Sequence, residues 1–302
     1  MKIKKTLLKI LVSLLFLGII LLKIDVNKTI NTLTSIKPEI IILFPLIIII
    51  GFLLNSFNIY ILFKGINLRI NYIYVFKSYI SAWLFGKVST GKSGELSILY
   101  FLSKKEKYIP FNKSAAVIFI DKIISFLVLL FISFFASLIL FRERLYLILI
   151  IYSAIFIIVI AVLFSYKAIS RIINFFFKRQ NYLAGFTKNI KYLLKNSKKN
   201  ILVNIIFTFI KHINVSFAIF IIFWAYGFQI PFIMVFLISG IEGIISQVPI
   251  AFMGLGVTEG AAVILYSLIN TPLQITISVY IFLRIYSYFF AFVLYCLKQI
   301  IS

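Results

Sequence analysis

The chain has 302 residues, of which 63% are hydrophobic and only 13% are charged. Soluble domains contain roughly 45–50% apolar residues, and several stretches here reach the ~18 apolar residues typical of a membrane-spanning helix. This composition excludes a soluble globular protein. It predicts one all-α, polytopic integral membrane domain over residues 1–302, with no additional soluble domain.

The charge balance is strongly basic, with 31 Lys and Arg against 8 Asp and Glu and a net charge of +23. The basic residues lie mostly between the apolar stretches, without an aromatic–basic module. They therefore indicate orientation in the membrane and contact with anionic lipid, and we expect no nucleic-acid partner. The single cysteine, Cys296, and the single histidine, His212, exclude an intrachain disulfide and a Cys-rich or His-pair metal site. We expect no cofactor.

The N-terminal segment is basic over Met1–Lys5 and apolar over Thr6–Leu22. No A-x-A-like cleavage site follows, so we predict an uncleaved anchor helix with a cytoplasmic N-terminus. Lys23–Glu39 has mixed charge and contains Pro38, which predicts a loop. The predicted full spans, about six in number, are residues 6–22, 40–63, 112–140, 145–166, 201–226 and 275–297.

Two polar breaks interrupt further apolar sequence, one at Gly86–Glu95 and one at Pro249–Gly260. Each contains a Gly-rich turn and then a Glu before an apolar run resumes. An ionisable residue follows each break at nearly the same distance, because Asp121 lies 26 positions after the first Glu and Arg284 lies 25 positions after the second. This matched spacing predicts a duplicated unit.

The positive-inside rule decides the path of the segments that carry the breaks. If Tyr79–Leu102 crossed the bilayer, Lys167–Asn200, with nine basic residues and no acid, would face outward. We therefore predict that Tyr79–Leu102 is a re-entrant helical hairpin that enters and leaves on the cytoplasmic side. By the same reasoning Pro231–Ile269 is a hairpin from the outside, so that Lys298 and the C-terminus are cytoplasmic.

The two repeats, residues 40–140 and 201–297, are then inverted relative to each other, and the span at residues 145–166 connects them. Inverted repeats whose broken helices meet near the bilayer midplane are a transporter architecture. The connecting region also includes residues 167–200, whose apolar residues recur at helical spacing among the basic ones. This pattern predicts a cytoplasmic amphipathic helix on an anionic leaflet.

The breaks are suited to binding an anion. Half-helices that begin near Ser93 and Thr258, with these residues as N-caps and a Glu in each first turn, would present free N–H groups and positive dipole ends. Together with a lysine of the first break, such an N-terminus is suited to a phosphate. The candidate substrate-binding residues are Lys87, Lys92, Ser93, Gly94, Glu95, Asp121, Glu242, Gly254, Gly256, Thr258, Glu259 and Arg284.

Three ionisable residues lie inside the predicted apolar segments, where a charge costs ~2.5–3.5 kcal/mol even on the lenient insertion scale. Asp121 and Arg284 occupy equivalent positions in the two repeats and have opposite charge. We hypothesise that they pair with each other, or that each serves the opposite half-site. Glu242, in the entering limb of the second hairpin, is a candidate for binding a headgroup amine or a proton.

Residues 86–93 match the nucleotide-binding loop pattern G-x-x-x-x-G-K-[ST] at every position. Membrane-type apolar runs on both flanks leave no strand or parallel sheet to support such a site, so we predict no nucleotide binding. His212 has no evident nucleophile as a partner, which favours a packing or interfacial role. We therefore predict no catalytic residue and no enzyme activity.

The two breaks together resemble one family. Trp83, Gly86 and the Gly91-x-x-Gly94–Glu95 turn, then Asp121, then Gly254-x-Gly256–Val257-x-Glu259–Gly260 and Arg284, are similar to the transmembrane flippase-like module of bacterial lysylphosphatidylglycerol synthases. This module also occurs as a free-standing membrane protein, and the resemblance covers the chain from about Ile40 to Leu297. Family members often have a Pro before the first Gly–Glu turn, where this chain has Val88–Gly91. The soluble aminoacyl-transferring domain of the synthases is absent here, so lysyl transfer is not implied.

The resemblance implies a flippase- or scramblase-type transporter of the cell membrane that moves a phospholipid or a polyprenyl-linked lipid. In this function Lys87, Lys92 and Arg284 would hold phosphate. Two other functions stay open. The first is an intramembrane hydrolase or transferase that acts on a polyprenyl phosphate, and the second is a membrane subunit that binds a soluble lipid-modifying enzyme through Lys167–Asn200.

Overall fold

The computed structural model describes Gly18 and residues 26–88, 93–105, 109–164, 185–247 and 256–301. Apart from the connections between its helices, this part of the chain is helical and contains no strand, which confirms the all-α prediction. A short 3₁₀ turn, Arg142–Arg144, lies where a tight turn was expected. The α-helices are α1 (Val26–Thr34), α2 (Pro38–Gly65), α3 (Tyr72–Val88), α4 (Ser93–Lys105), α5 (Phe111–Leu140), α6 (Leu145–Phe164), α7 (Phe186–Asn196), α8 (Lys198–Ala225), α9 (Phe232–Ile245), α10 (Val257–Ser267) and α11 (Leu273–Ile301).

Four of these helices are long and apolar enough to cross a membrane: α2, α5, α8 and α11. They coincide with four of the predicted spans, which confirms a polytopic helical membrane protein. The fifth predicted span corresponds to α6, a 20-residue helix. The predicted anchor at residues 6–22 lies outside the described residues apart from Gly18, so a total of six spans stays a prediction.

Each predicted break separates two short helices. Helix α3 ends at Val88 and α4 begins at Ser93, while α9 ends at Ile245 and α10 begins at Val257. The starts of α4 and α10 agree with the expected half-helix starts. The first break is shorter than predicted, because α3 continues through Gly86 and Lys87. Residues 89–92 and 248–255, between the paired helices, lie outside the described part of the chain.

The prediction of a loop over Lys23–Glu39 is wrong, because α1 occupies most of it. The polar side chains of α1 are compatible with a helix. Thr32 donates a hydrogen bond to the Lys28 carbonyl one turn earlier, at 2.9 Å, and Thr29 is buried. Pro38 is the first residue of α2, a position at which proline is well tolerated since its missing N–H would have no partner.

The chain divides into two compact units. The first unit consists of Met1–Leu53, Ile80–Ser97 and Lys211–Ser302, and it therefore includes the end of α3 as well as α9, α10 and α11. The second unit consists of Leu54–Tyr79 and Ile98–Ile210. Each unit is described separately below.

The second unit is held together by amide side chains buried among its helices. Asn58 donates to Thr208 at 2.9 Å, and Asn204 donates to the Asn58 carbonyl at 3.1 Å. Ser197, at the junction of α7 and α8, donates to the Gly65 carbonyl at the end of α2. The basic helix α7 packs on α5 through an apolar face formed by Phe186, Ile190 and Leu193. This described part of the predicted amphipathic segment is helical, and the rest, residues 165–184, lies outside the description.

In the first unit, α11 supplies a hydrogen bond that a proline removes from α2. Pro45 lies inside α2 and cannot donate to the carbonyl of Ile41, four residues earlier. The Tyr286 hydroxyl of α11 donates to that carbonyl at 3.0 Å, and its ring packs edge-on against Phe44 with centroids 4.9 Å apart. The break in the α2 ladder therefore fixes where α11 lies against it.

Candidate functional site

The candidate site is built on one face of α11, within the first unit. Tyr280, Arg284 and Ser287 follow one another at intervals of four and three residues, which places them in one row along the helix. We call this row the α11 stripe. Each of its side chains contacts a different short helix, respectively α9, α10 and α3.

The start of α10 positions the middle contact. The N-cap of α10 is Gly256, with φ of +80°, a left-handed conformation that favours glycine. Its N–H donates to Glu259 Oε2 at 2.8 Å, and the Thr258 hydroxyl donates to the same oxygen at 2.9 Å. The prediction of Thr258 as the N-cap is therefore wrong by two residues, because the glycine turn ends the break and Thr258 already lies in the first helical turn.

The other carboxylate oxygen of Glu259 holds Arg284. Arg284 Nε donates to Glu259 Oε1 at 2.6 Å, and Nη2 forms an ion pair with it at 2.5 Å. Nη2 also donates to the Thr258 hydroxyl at 3.0 Å. The side chain of Glu259 is 7% exposed and that of Arg284 is 24% exposed. The guanidinium is thus fixed to the helix N-terminus while part of it stays accessible.

Lys87 brings the first break into the same unit. Its ammonium donates to the Ser287 hydroxyl at 2.9 Å. It also lies 4.8 Å from the ring centre of Trp83 and 5.4 Å from that of Tyr288, distances at which an aromatic face attracts a cation. Lys87 is close enough to Arg284 for the two positive charges to repel each other. An anion between them would relieve that repulsion.

Glu242 occupies the far end of the α11 stripe. It is 8% exposed, and both of its carboxylate oxygens accept from the Tyr280 hydroxyl, at 2.6 and 2.5 Å. Tyr280 packs near Tyr266 of α10, with ring centroids 6.3 Å apart. The site thus contains a cluster of four charged side chains, the acids Glu242 and Glu259 and the bases Lys87 and Arg284. Their formal charges sum to zero.

Asp121 belongs to the second unit. Asp121 is 4% exposed and accepts a hydrogen bond from Asn204 at 3.2 Å. The carboxylate that pairs with Arg284 in the first unit is Glu259, so a pairing of Asp121 with Arg284 stays a prediction. Of the other candidates, Lys92 and Gly254 lie outside the described residues, and only the helical backbone of Ser93, Gly94 and Glu95 is described.

Sequence reasoning missed the polar roles of several residues in the first unit. Tyr280 and Ser287 lie in a segment predicted as an apolar span. Their spacing of four and three residues from Arg284 nevertheless places all three side chains on one face of a helix. His212 was expected to lack a nucleophile as a partner, but its Nε2 lies 3.2 Å from Ser239 Oγ and 3.2 Å from the Phe236 carbonyl oxygen. Among the described residues, no group of three or more His, Cys, Asp or Glu side chains is placed to hold a metal ion.

Comparison with known proteins gives one family. A family model described as the transmembrane region of lysylphosphatidylglycerol synthase matches residues 6–294. No curated protein sequence matches the chain. The matched range includes both breaks, the α11 stripe and Asp121.

Proposed function

Because the chain belongs to the family of the lysylphosphatidylglycerol synthase transmembrane region, whose members are associated with membrane lipids, we propose that it is a flippase- or scramblase-type transporter. It moves the headgroup of a phospholipid or of a polyprenyl-linked lipid between the leaflets of the cell membrane. Its N- and C-termini lie in the cytoplasm.

The observation that carries this proposal is the ion pair of Arg284 with Glu259 at the N-terminus of α10. Arginine binds a phosphate or a carboxylate through the same pair of parallel hydrogen bonds, so a lipid phosphate competes directly with Glu259 for Arg284. The helix N-terminus adds N–H donors and a positive dipole end to the attraction for an anion. The partial exposure of Arg284 gives the phosphate a way to reach it.

Lys87 supplies a second positive charge for the same headgroup. It belongs to the first break and contacts Ser287, three residues after Arg284 on the α11 stripe. Three helical residues span about 4.5 Å, a separation that a phosphate group can bridge. Lys87 of the first break and Arg284, which is held by Glu259 of the second break, thus contribute one cation each to a single binding site within the first unit.

The lengths of the short helices support re-entrant hairpins. Helices α3, α4, α9 and α10 have 17, 13, 14 and 11 residues, which gives lengths of roughly 16–26 Å at ~1.5 Å per residue. A hydrocarbon core of about 30 Å needs about 20 residues. Helices of this length end within the membrane, where unpaired backbone groups require protein or water around them. In the proposal, the described helix ends at Val88, Ser93, Ile245 and Val257 line a wet cavity through which the headgroup passes.

The proposal contains no covalent step, and the Ser239–His212 contact does not require one. The Ser239 hydroxyl donates to the Phe236 carbonyl at 2.9 Å and lies 2.7 Å from the Ser216 hydroxyl. His212 Nε2 faces the same carbonyl oxygen. These groups satisfy one another within α8 and α9, as buried polar groups in a packed membrane protein must.

The test is translocation of fluorescent phosphatidylglycerol in vesicles containing the purified protein. Replacing Arg284 alone would leave Glu259 as a buried, unpaired charge, so the informative variant is the double substitution Arg284→Gln with Glu259→Gln, which keeps hydrogen-bonding groups and removes both charges. We expect a translocation rate at least about tenfold lower, the effect of losing a charged hydrogen bond of about 1.5–3 kcal/mol. Arg144→Ala, in the 3₁₀ turn, is the matched control and should behave as the parent.

Two results would contradict the proposal. The first is a folded parent protein that moves neither phosphatidylglycerol nor a polyprenyl-linked lipid. The second is a folded double variant that moves lipid as fast as the parent.

A further inference from the structure

Glu242 is a buried acid that forms no ion pair with any residue the structure describes. Its side chain is 8% exposed, and Tyr280 is its hydrogen-bond partner among the described residues. Over the same part of the chain, no Lys, Arg or His lies within ion-pair distance of it. A carboxylate buried without a paired charge is costly, so it takes up a proton readily when a further negative charge comes near.

The groups that face Glu242 come from the helices packed around it. From α11 these are Tyr280 and, one turn further, Arg284, which is already bound to Glu259 of α10. The Glu259 carboxylate acts on Glu242 as a like charge. From α8, His212 contacts α9 at Ser239, one turn before Glu242.

A second hydroxyl lies beside this contact. Tyr266 of α10 is fully buried, and its hydroxyl interacts with that of Tyr280. The two rings pack near each other, with centroids 6.3 Å apart. A protonated carboxyl gains an O–H donor that a carboxylate lacks, and a phenol oxygen near it is a suitable acceptor.

The need to keep the site electrically neutral connects protonation of Glu242 to lipid binding. The four charged side chains of the site sum to zero without a ligand. A phosphate monoanion that draws Arg284 away from Glu259 leaves two unpaired carboxylates close together and adds one negative charge to the cluster. One proton restores the sum to zero. Glu242 is the acid that receives it, since Glu259 retains hydrogen bonds from Gly256 and Thr258, whereas within the described part of the chain Glu242 accepts from Tyr280 alone.

We propose that Glu242 binds one proton together with each lipid phosphate and releases it when the phosphate leaves, so that lipid and proton cross the membrane as a pair. The inference rests on the function proposed above. The proton comes from water on one side and bonds to a carboxylate oxygen of Glu242. It returns to water on the other side when Arg284 pairs with Glu259 again.

Two measurements test this site. In vesicles at zero membrane potential, a gradient of one pH unit should shift the distribution of fluorescent phosphatidylglycerol between the leaflets by up to about tenfold, because one pH unit is a tenfold ratio of proton activity. Glu242→Gln removes the titratable group and should lose the shift, at whatever rate it moves lipid. Glu242→Asp keeps a titratable group and should retain it, as should Glu143→Gln at the exposed 3₁₀ turn.

The second measurement does not depend on transport. Infrared difference spectra of the purified protein should show the carbonyl band of a protonated carboxyl on acidification or on addition of short-chain phosphatidylglycerol. The band should be absent in Glu242→Gln and present in Glu143→Gln. A band that disappears in Glu259→Gln and persists in Glu242→Gln would overturn the assignment.

The outcomes separate the two proposals. Lipid movement that ignores the pH gradient in the parent protein, or a shift that persists in Glu242→Gln, overturns the proton site and leaves the transport function standing. If no variant moves lipid, the proposed function fails, and the infrared band alone decides whether Glu242 is a proton site.

Discussion

The two units each bury an acid, but they give it different partners. In the first unit Glu259 is bound to Arg284, whose guanidinium is partly exposed. In the second unit Asp121 accepts from the amide of Asn204, which in turn donates to the Asn58 carbonyl. A second anion can open the Glu259–Arg284 ion pair by competing for the guanidinium, whereas the Asn204 amide carries no charge for which an anion could compete. The comparison teaches that Asp121 and Arg284, which occupy equivalent positions in the two repeats, differ in their contacts as well as in their charge.

The largest effect is expected from breaking the ion pair on one side only. Glu259→Ala removes the carboxylate and leaves the Arg284 guanidinium without its counter-ion, which costs about 3–5 kcal/mol in a buried pair. The free energy of unfolding in detergent should fall by that amount. Glu143→Ala, an exposed acid, should stay within about 0.5 kcal/mol of the parent. A loss that is equally small in Glu259→Ala would show that the pair does not stabilise the first unit.

A smaller effect is expected from replacing Gly256, the N-cap residue whose N–H holds the Glu259 carboxylate. Gly256→Ala forces a side chain into a left-handed conformation, at a cost of about 1–2 kcal/mol, and should slow lipid translocation by displacing the Glu259 carboxylate. Gly227 is the matched control, because its φ is +74° and open space surrounds the position of an added Cβ. Gly227→Ala should lose similar stability and keep the translocation rate per folded protein. Equal rates in the two variants would mean that the turn at Gly256 is only structural.

The smallest effect is expected in the second unit. Asp121→Asn keeps an oxygen that can accept from Asn204 and removes only the charge, so the loss of stability should be about 1 kcal/mol, the value of an ordinary hydrogen bond. Lipid translocation should stay within about twofold of the parent rate. A decrease as large as that of the Arg284 and Glu259 double variant would place Asp121 in the binding site, as its repeat position suggested, and would remove the contrast between the units.

The sequence predicts the positions of the long helices and of the breaks well, because both depend on local properties. Hydropathy locates α2, α5, α8 and α11 to within a few residues. Glycine and small polar residues locate the starts of α4 and α10. It also predicts that Arg284 is important, since a charge in an apolar segment is costly unless it is used or paired. Lys87 and Glu259 are predicted for a different reason, because they lie in the polar breaks next to a helix N-terminus.

The partners of those charges could not be predicted, because they depend on how distant segments pack. Repeat symmetry suggested Asp121 as the counter-ion of Arg284, whereas the short distance in the structure is to Glu259, 25 residues earlier in the same repeat. Tyr280 resembles any aromatic residue of a membrane span until its hydroxyl is seen against Glu242. Helix α1 was missed because its polar residues bond to their own backbone, a compensation that hydropathy does not record.

Tyr280, Arg284 and Ser287 project from a single helix, and this has a mechanical consequence. A helix moves as a rigid body, so a rotation or translation of α11 that weakens the contact of one of these side chains weakens the contacts of all three. In the proposed transporter, binding of a lipid phosphate at Arg284 would thereby be transmitted to Glu242 through Tyr280 and to Lys87 through Ser287, without any loop having to carry the signal. Tyr286, whose hydroxyl is hydrogen-bonded to the Ile41 carbonyl that Pro45 leaves without a donor in α2, is the point about which α11 would rotate.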